Sequence, residues 1–579
     1  MAVPRLRVPA VPQSRVAGAG VSDEVELYHR TYTTLLRSSG ETRLRVLEPS
    51  HRAMRSSLHP LAGEPTPDLG AFVYATHRLP ARVHAAHVVV MGQDAAVFAR
   101  HGVGPLADWE PEEAPARRRH WFAGPGGVLA VLLASASDLD DLVPTLVAFQ
   151  LEWNKLHALV LTVRPPAGEA LDAAWCAQAI GGLEDDWRRV ADAWEGGDLR
   201  AFLEAVSAKR LDLRVRMLGG SQAGYARMTR RWWDPIQSTL REQGLEERPL
   251  YFVSSNPHSL VNLVTATARS REAEIVRWVE RHGAPELRDE LERFRSGAAE
   301  GPWENFLYFA ARGLFDEHPD SLDLHRRRND EERAVGVTHL SSTTALRVSA
   351  QVVALDRLDP AGLDPRLGGP DPAACEGVVV NIEYPLGVAA YNVLREVAES
   401  TDRLCGVYVL GKAATLNAAV GDVLISSVIH DEHSGSTYWL DNAFSFDDLA
   451  PFLRFGSGLD NQRAVTVKST FLQNREYLDF YYREAFTVVE MEAGPYCDAV
   501  YEVADVDRYP VGEAVNFAKL PIDFGVIHYA SDTPYTQART LGARGLSYHG
   551  MDSTYASSLA ILRRIFTLEG ALAPSPRRA

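Results

Sequence analysis

Two apolar runs that end in acid groups constrain this chain more than any other feature. Val488-Val489-Glu490-Met491-Glu492-Ala493-Gly494 closes on a carboxylate beside a methionine, and Phe524-Gly525-Val526-Ile527-His528-Tyr529-Ala530 runs into Ser531-Asp532. Continuous apolar runs suit strands of a parallel sheet covered on both faces, and ligands of such sheets collect at the carboxyl ends of the strands. Glu492 and Asp532 both fall where an α/β fold places its chemistry. A third run, Leu404-Cys405-Gly406-Val407-Tyr408-Val409-Leu410, leads into Gly411-Lys412-Ala413-Ala414-Thr415-Leu416-Asn417. Small residues there let a backbone come close to a ligand.

In this order the three segments resemble the nucleoside phosphorylase/nucleosidase superfamily. The family's small-residue loop, of the type Gly-Ser-Ala-Gly-Gly-Leu or Ala-Ala-Gly-Gly-Leu-Asn, corresponds to residues 411–417, and its Val-Gly-Asp to Val420-Gly421-Asp422. Its Glu-Met-Glu-Ala matches Glu490-Met491-Glu492-Ala493, and its later Ser-Asp matches Ser531-Asp532. An upstream strand ending in Gly-Ile-Gly resembles Val378-Val379-Val380-Asn381 through Leu386-Gly387-Val388. The resemblance covers residues 376–572 and reaches back, by pattern alone, to a first strand at 249–256 that enters a helix-like segment at 258–281.

The implied fold is a nucleoside phosphorylase-like α/β domain over 246–572, a mixed sheet flanked by helices, with its motif-bearing core at 376–572. Residues 21–245 resemble no family and read as a mainly α-helical domain of unknown role. Residues 1–20 read as a flexible arm and 573–579 as a disordered tail.

The resemblance implies cleavage of the N-glycosidic bond of a nucleoside or nucleotide, by phosphorolysis or hydrolysis, with a purine-like base favoured by the Ser-Asp form. Breaking that bond puts positive charge on the sugar and negative charge on the departing base, and carboxylates serve both ends. Asp532 matches the residue that protonates or hydrogen-bonds the base, which near neutral pH requires burial or a neighbour to raise its pKa. Glu492 matches the carboxylate that grips the ribose hydroxyls, and Met491 the residue under the sugar. Ser531, Gly411, Lys412, Ala413 and Thr415 complete the implied substrate contacts, and Phe471 falls where the family presents a ring to the base. No metal or organic cofactor is implied, with inorganic phosphate the co-substrate of a phosphorolytic reaction. A homo-oligomer whose subunits complete one another's sites is expected.

Three departures bear on this reading. Lys412, one of only five lysines, stands where the family has a small or hydroxyl residue. It either binds an anion or fills the pocket. Thr415 replaces a glycine, and Pro495 follows the motif. The alternative is therefore a catalytically inactive nucleoside- or nucleotide-binding regulatory protein that keeps the fold; a third reading gives the main function to the helical half. His258, Glu383, Arg544 and His549 are further candidates for the site.

Composition narrows the partners. A formal charge of −16 over 579 residues argues against a nucleic acid polymer, and a small ligand remains compatible. The four cysteines lack metal-ligand spacing, no run is long enough for a membrane span, and a cytoplasmic protein is the expectation. Apolar spacing predicts helices over 22–36, 42–58, 138–161 with a bend at Pro144, and within 182–243; residues 127–134 form a buried strand or helix segment. Arg230-Arg231-Trp232-Trp233 reads as a helix end with core tryptophans or as an aromatic-ligand site. Residues 326–333 read as a solvated loop or helix face, and the Pro-rich stretch 359–372 as a linker or a long loop.

Overall fold

The structure is a computed structural model that describes residues 22–38, 40–163, 171–504, 511–517, 519–534 and 548–573. The arm at 1–20, Arg544 and the tail beyond residue 573 lie outside the described residues, as does the side chain of His549.

Helices outnumber strands in the N-terminal half, but a six-stranded sheet that the helical reading did not foresee runs through it. Strands β1 (Thr42–Arg43), β2 (Val88–Gly92), β3 (Glu110–Ala114), β4 (Arg117–Gly124), β5 (Val128–Leu132) and β6 (Arg214–Met217) lie in the order β1-β6-β2-β5-β4-β3. The all-buried Val-Val-Val-Met-Gly of β2 is flanked by parallel partners on both sides, as a central strand requires. Residues 127–134 thus resolve as a strand.

The expected helix at 42–58 shrinks to Glu48–Ala53, which carries Pro49 in its first turn and stops before Arg55, a residue at φ +50° that cannot continue it. The helix Ala136–Val160 opens on a Ser135/Asp138 capping box and carries Pro144 inside it. Within 182–243 three helices, Glu184–Ala193, Leu199–Ala208 and Gln222–Glu242, are interrupted by β6.

The C-terminal half is a mixed α/β unit built on eleven strands: β7 (Leu250–Ser255), β8 (Val337–Leu340), β9 (Ala350–Ala354), β10 (Val378–Glu383), β11 (Leu404–Thr415), β12 (Val423–Asp431), β13 (Thr437–Trp439), β14 (Gly458–Thr466), β15 (Val488–Glu490), β16 (Ala514–Asn516) and β17 (Asp523–Asp532). The first predicted strand is β7, parallel to both β10 and β11 at the centre. Strand β17 pairs with β11 on one side and β12 on the other, while β12, β14, β15 and β11 pair in succession. These five strands close into a ring, which removes their free edges. Residues 359–372 form a folded loop of three short 3-10 turns, each opening on an Asp-Pro pair whose aspartate caps the turn.

One apolar core continues across the boundary expected near 245. It joins Val88, Trp232 and Trp233 to Leu250, Val378 and Val407. The Trp232 indole also donates to the Val348 carbonyl at 2.8 Å, while Arg230 pairs with Glu396 and Arg231 with Asp94. This is the helix-with-core-tryptophans reading of that cluster. No helix among the described residues is long and apolar enough to cross a membrane.

Candidate active site

The Glu-Met-Glu segment lies between the end of β15 and the helix Ala493–Ala504, and its two acids play different parts. Glu490 is buried and accepts the N–H groups of Glu492 (2.6 Å) and Ala493 (2.7 Å) and the Thr466 hydroxyl. It thus satisfies donors at the helix start, where a negative charge also meets the positive end of the dipole. Burial nevertheless pushes its pKa up to about 7. Glu492 lines a cavity of about 170 Å³. Burial, then the charge of Glu490, pushes its pKa up to about 8, against the pull of Arg117 and Arg118. Its carboxyl therefore holds a proton near neutral pH, the state of a group ready to exchange one.

Asp532 reaches the same cavity by a fault in strand pairing. Strands β11 and β17 run parallel in register to Ala413↔Ala530, and the next pair is Ala414↔Asp532. The unmatched Ser531 is a bulge, a device that re-aims the side chain after it. Asp532 is 1% exposed and its Oδ1 accepts the N–H of Thr533 at 2.7 Å. Ser531 donates to the Ala413 carbonyl at 3.3 Å and also lines the cavity.

Along β11 the two-residue period divides the predicted contacts. Lys412 and Ala414 line the cavity, whereas Gly411, Ala413 and Thr415 do not. Gly411 backs onto His528, whose ring a Cβ there would approach to 3.3 Å, and Ala413 packs in the core. The Thr415 hydroxyl accepts N–H groups of Asn417 and Ala418 and so shapes the turn. Phe471 is also off the cavity: its ring packs on Tyr74 at 5.3 Å and on His51 and His59, while its neighbours Thr470 and Gln473 form part of the lining. Lys412, Met491, Glu492, Ser531 and Asp532 are the predicted residues that the fold brings together.

His258 and Glu383 are absent from the lining. Burial, with Arg312 and Arg328 nearby, holds His258 down at about 3, and Glu383 is bound by Arg118 at 2.6 Å and by the Ser349 hydroxyl at 3.0 Å. Among the described residues Lys412 makes no ion pair, and burial followed by Arg312 lowers its pKa.

The opposite wall comes from the N-terminal half and was missed by sequence reasoning. Ser57, Leu58, Tyr74, Arg78 and Arg117 all line the cavity. The two halves are stitched at its rim: the Ser57 N–H donates to the Gln473 carbonyl at 2.7 Å, and Arg118 donates to the Tyr384 carbonyl at 2.6 Å. The one local signal was the run Arg117-Arg118-Arg119, unusual in a strand beside apolar neighbours.

Comparison with solved structures finds partial likenesses. A Streptococcus pneumoniae MTA/SAH nucleosidase bound to 8-aminoadenine is 14% identical with a TM-score of 0.28, over 42% of this chain and 96% of that one. A 5′-methylthioadenosine/S-adenosylhomocysteine nucleosidase from Colwellia psychrerythraea, bound to adenine, is 16% identical with a TM-score of 0.26, over 42% and 90%. A methylthioadenosine phosphorylase from an Antarctic soil metagenomic library is 8% identical with a TM-score of 0.25, over 34% and 74%. No curated protein sequence matches. A family model does match, over residues 44–567, and thus takes in both halves and both walls of the cavity: the chain belongs to the family of unknown function DUF6909.

Proposed function

We propose that this protein cleaves the N-glycosidic bond of a purine-like nucleoside or nucleotide, by phosphorolysis or hydrolysis. The observation that carries the reading is the meeting of Glu492 and Asp532, from separate strand ends, in one cavity whose lining also includes Met491, the residue before Glu492. Asp532 serves the base, by donating a proton or a hydrogen bond as it departs. Glu492 serves the sugar: it grips the hydroxyls, and in its ionised form its carboxylate stabilises the positive charge that grows on the ring. Met491 supplies an apolar floor, and the rings of Tyr74 and Tyr384 add flat apolar surface to the lining. No organic cofactor or metal enters the scheme, and inorganic phosphate is the co-substrate if the route is phosphorolytic.

The second reading, a binding protein without turnover, is favoured by one observation. Lys412 projects a cation into the cavity where the resembled family carries a small residue. Chromatographic detection of free base separates the two. The protein is incubated with purine and pyrimidine nucleosides and nucleotides, with and without phosphate, and with the Asp532→Asn protein as control. Release that depends on Asp532 supports cleavage, and its dependence on phosphate names the attacking group. Ligand-induced rise in melting temperature with no free base supports the binding protein.

A further inference from the structure

The N-terminal wall of the cavity carries a positive charge that the protein leaves unmatched. Arg78 is 3% exposed and lines the cavity. Its guanidinium sits 3.3 Å over the centroid of the Tyr74 ring, and Nη1 donates to the Tyr74 carbonyl at 3.1 Å. The buried Nε has no hydrogen-bond partner, and among the described residues no carboxylate forms an ion pair with Arg78, which Asp141 influences only through space. An unpaired buried charge is costly to keep.

The neighbouring charges do not supply the missing partner. Arg117 is held by Asp141 through two bonds of 2.9 and 2.8 Å, and Arg119 by Asp138 and Asp141 at 2.8 and 2.7 Å. Three guanidinium groups thus share two carboxylates. Glu492 lies close enough to feel Arg117, yet it is protonated near neutrality and brings no full charge. Burial, with Arg117 and Arg119 nearby, drags the pKa of Arg78 down to about 10 against the opposing pull of Tyr74 and Asp141, the response of a cation taken out of water.

We propose that Arg78 is the seat of a phosphate oxyanion, either carried by a nucleotide substrate or arriving as free inorganic phosphate. A planar guanidinium in the cavity lining suits such oxygens, and a ring stacked beneath it fixes its plane. The N-terminal half then has a defined task, to present this cation opposite the acids of β15 and β17. Only the nucleotide arm of the proposal rests on the nucleoside reading of the cavity.

Calorimetric titration of the intact protein tests it, using inorganic phosphate alone, a purine nucleoside 5′-monophosphate and the parent nucleoside. The proteins compared are wild type, Arg78→Met, Arg78→Lys and Lys412→Met, each checked for a cooperative melt. If the oxyanion belongs to the substrate, the monophosphate binds wild type at least about tenfold more tightly than the nucleoside, the factor of one charge-assisted hydrogen bond. Arg78→Met abolishes that preference and Arg78→Lys keeps part of it. If the source is free phosphate, inorganic phosphate binds wild type saturably and Arg78→Met does not bind it.

Arg78-dependent phosphate binding with no binding of nucleoside or monophosphate would sink the nucleoside reading and leave this inference standing. The inference is overturned if wild type binds neither phosphate nor monophosphate. It is also overturned if Arg78→Met, or Arg78→Lys should the methionine variant not fold, matches wild type for both. Loss that follows Lys412→Met while the Arg78 variants bind normally overturns it too, by moving the site to the other cation.

Discussion

The carboxylate of Glu490 accepts the backbone N–H of Glu492 at 2.6 Å, so one acid of the motif holds the other against the cavity. Glu490 also receives Ala493 N–H and the Thr466 hydroxyl. Its removal strands buried donors, each costing about 1–3 kcal/mol when unpaired. Glu490→Ala is expected to lower the unfolding free energy by about 3 kcal/mol or more. Denaturant titration reads this, and a loss below about 1 kcal/mol would reject the anchoring role.

Stability should fall on the alkaline side of neutrality. Burial pushes Glu490, Glu492 and Asp498 up to about 7, 8 and 8, so folding favours their protonated forms. The stability they contribute is whole below their unfolded pKa values, near 4, and is lost as pH rises through 7 to 8. His258 and His528, held by burial near 3 and 4, act the other way, and their contribution is complete once the pH passes the ordinary histidine value of about 6.5. From about pH 6.5 to about 8.5 only the acids of this set still titrate, and the melting temperature is expected to fall. Glu492→Gln should flatten that fall. An unchanged slope would mean that Glu492 does not hold its proton.

Asp532→Asn should leave the fold intact and cut base release by about a hundredfold, the lower range for loss of a general acid. Single-turnover release of free base at matched folded protein measures it. Undiminished release would remove Asp532 from the chemistry.

A methyl group at Gly494 would lie 2.5 Å from the Asp431 Cβ and 2.7 Å from the Thr466 hydroxyl oxygen. Gly494→Ala is therefore expected to cost about 1–3 kcal/mol by overpacking and to disturb Glu492, which starts the same helix. Thermal melting together with ligand titration checks both effects. A variant that melts and binds as wild type does would show that the helix start can shift freely.

Separating the halves at residue 245 should yield two unstable pieces, because Trp232, Trp233 and Ile236 share a core with Leu250 and Val378. Expression of residues 246–579 alone, followed by calorimetry, is expected to give no cooperative transition. A sharp transition near that of the whole chain would show that the second core is self-sufficient.

The strands that carry the motif were legible because they are buried on both faces and so read as unbroken apolar runs: β7, β10, β11 and β17 are of this kind. The edges of the N-terminal sheet were hidden by the opposite property. Strand β1 has two residues, and β3 is Glu-Pro-Glu-Glu-Ala, mostly exposed, so neither shows a period. Lys412, Met491 and Asp532 were found because a local motif marks them. Arg78 and Arg117 meet the motif only through folding, hundreds of positions away in sequence, and no spacing rule connects them. The register of β11 against β17 was likewise beyond reach: only the bulge at Ser531 decides that Asp532 reaches the cavity.

The shared rim has a consequence for how this site responds to its surroundings. A pocket finished by a second molecule comes apart on dilution, because its missing wall must be recaptured from solution. Here the wall bearing Tyr74, Arg78 and Arg117 is tethered to the wall bearing Glu492 and Asp532, and the local concentration of each for the other is set by the chain itself. These two walls therefore come together as the chain folds, and neither has to be recaptured from solution.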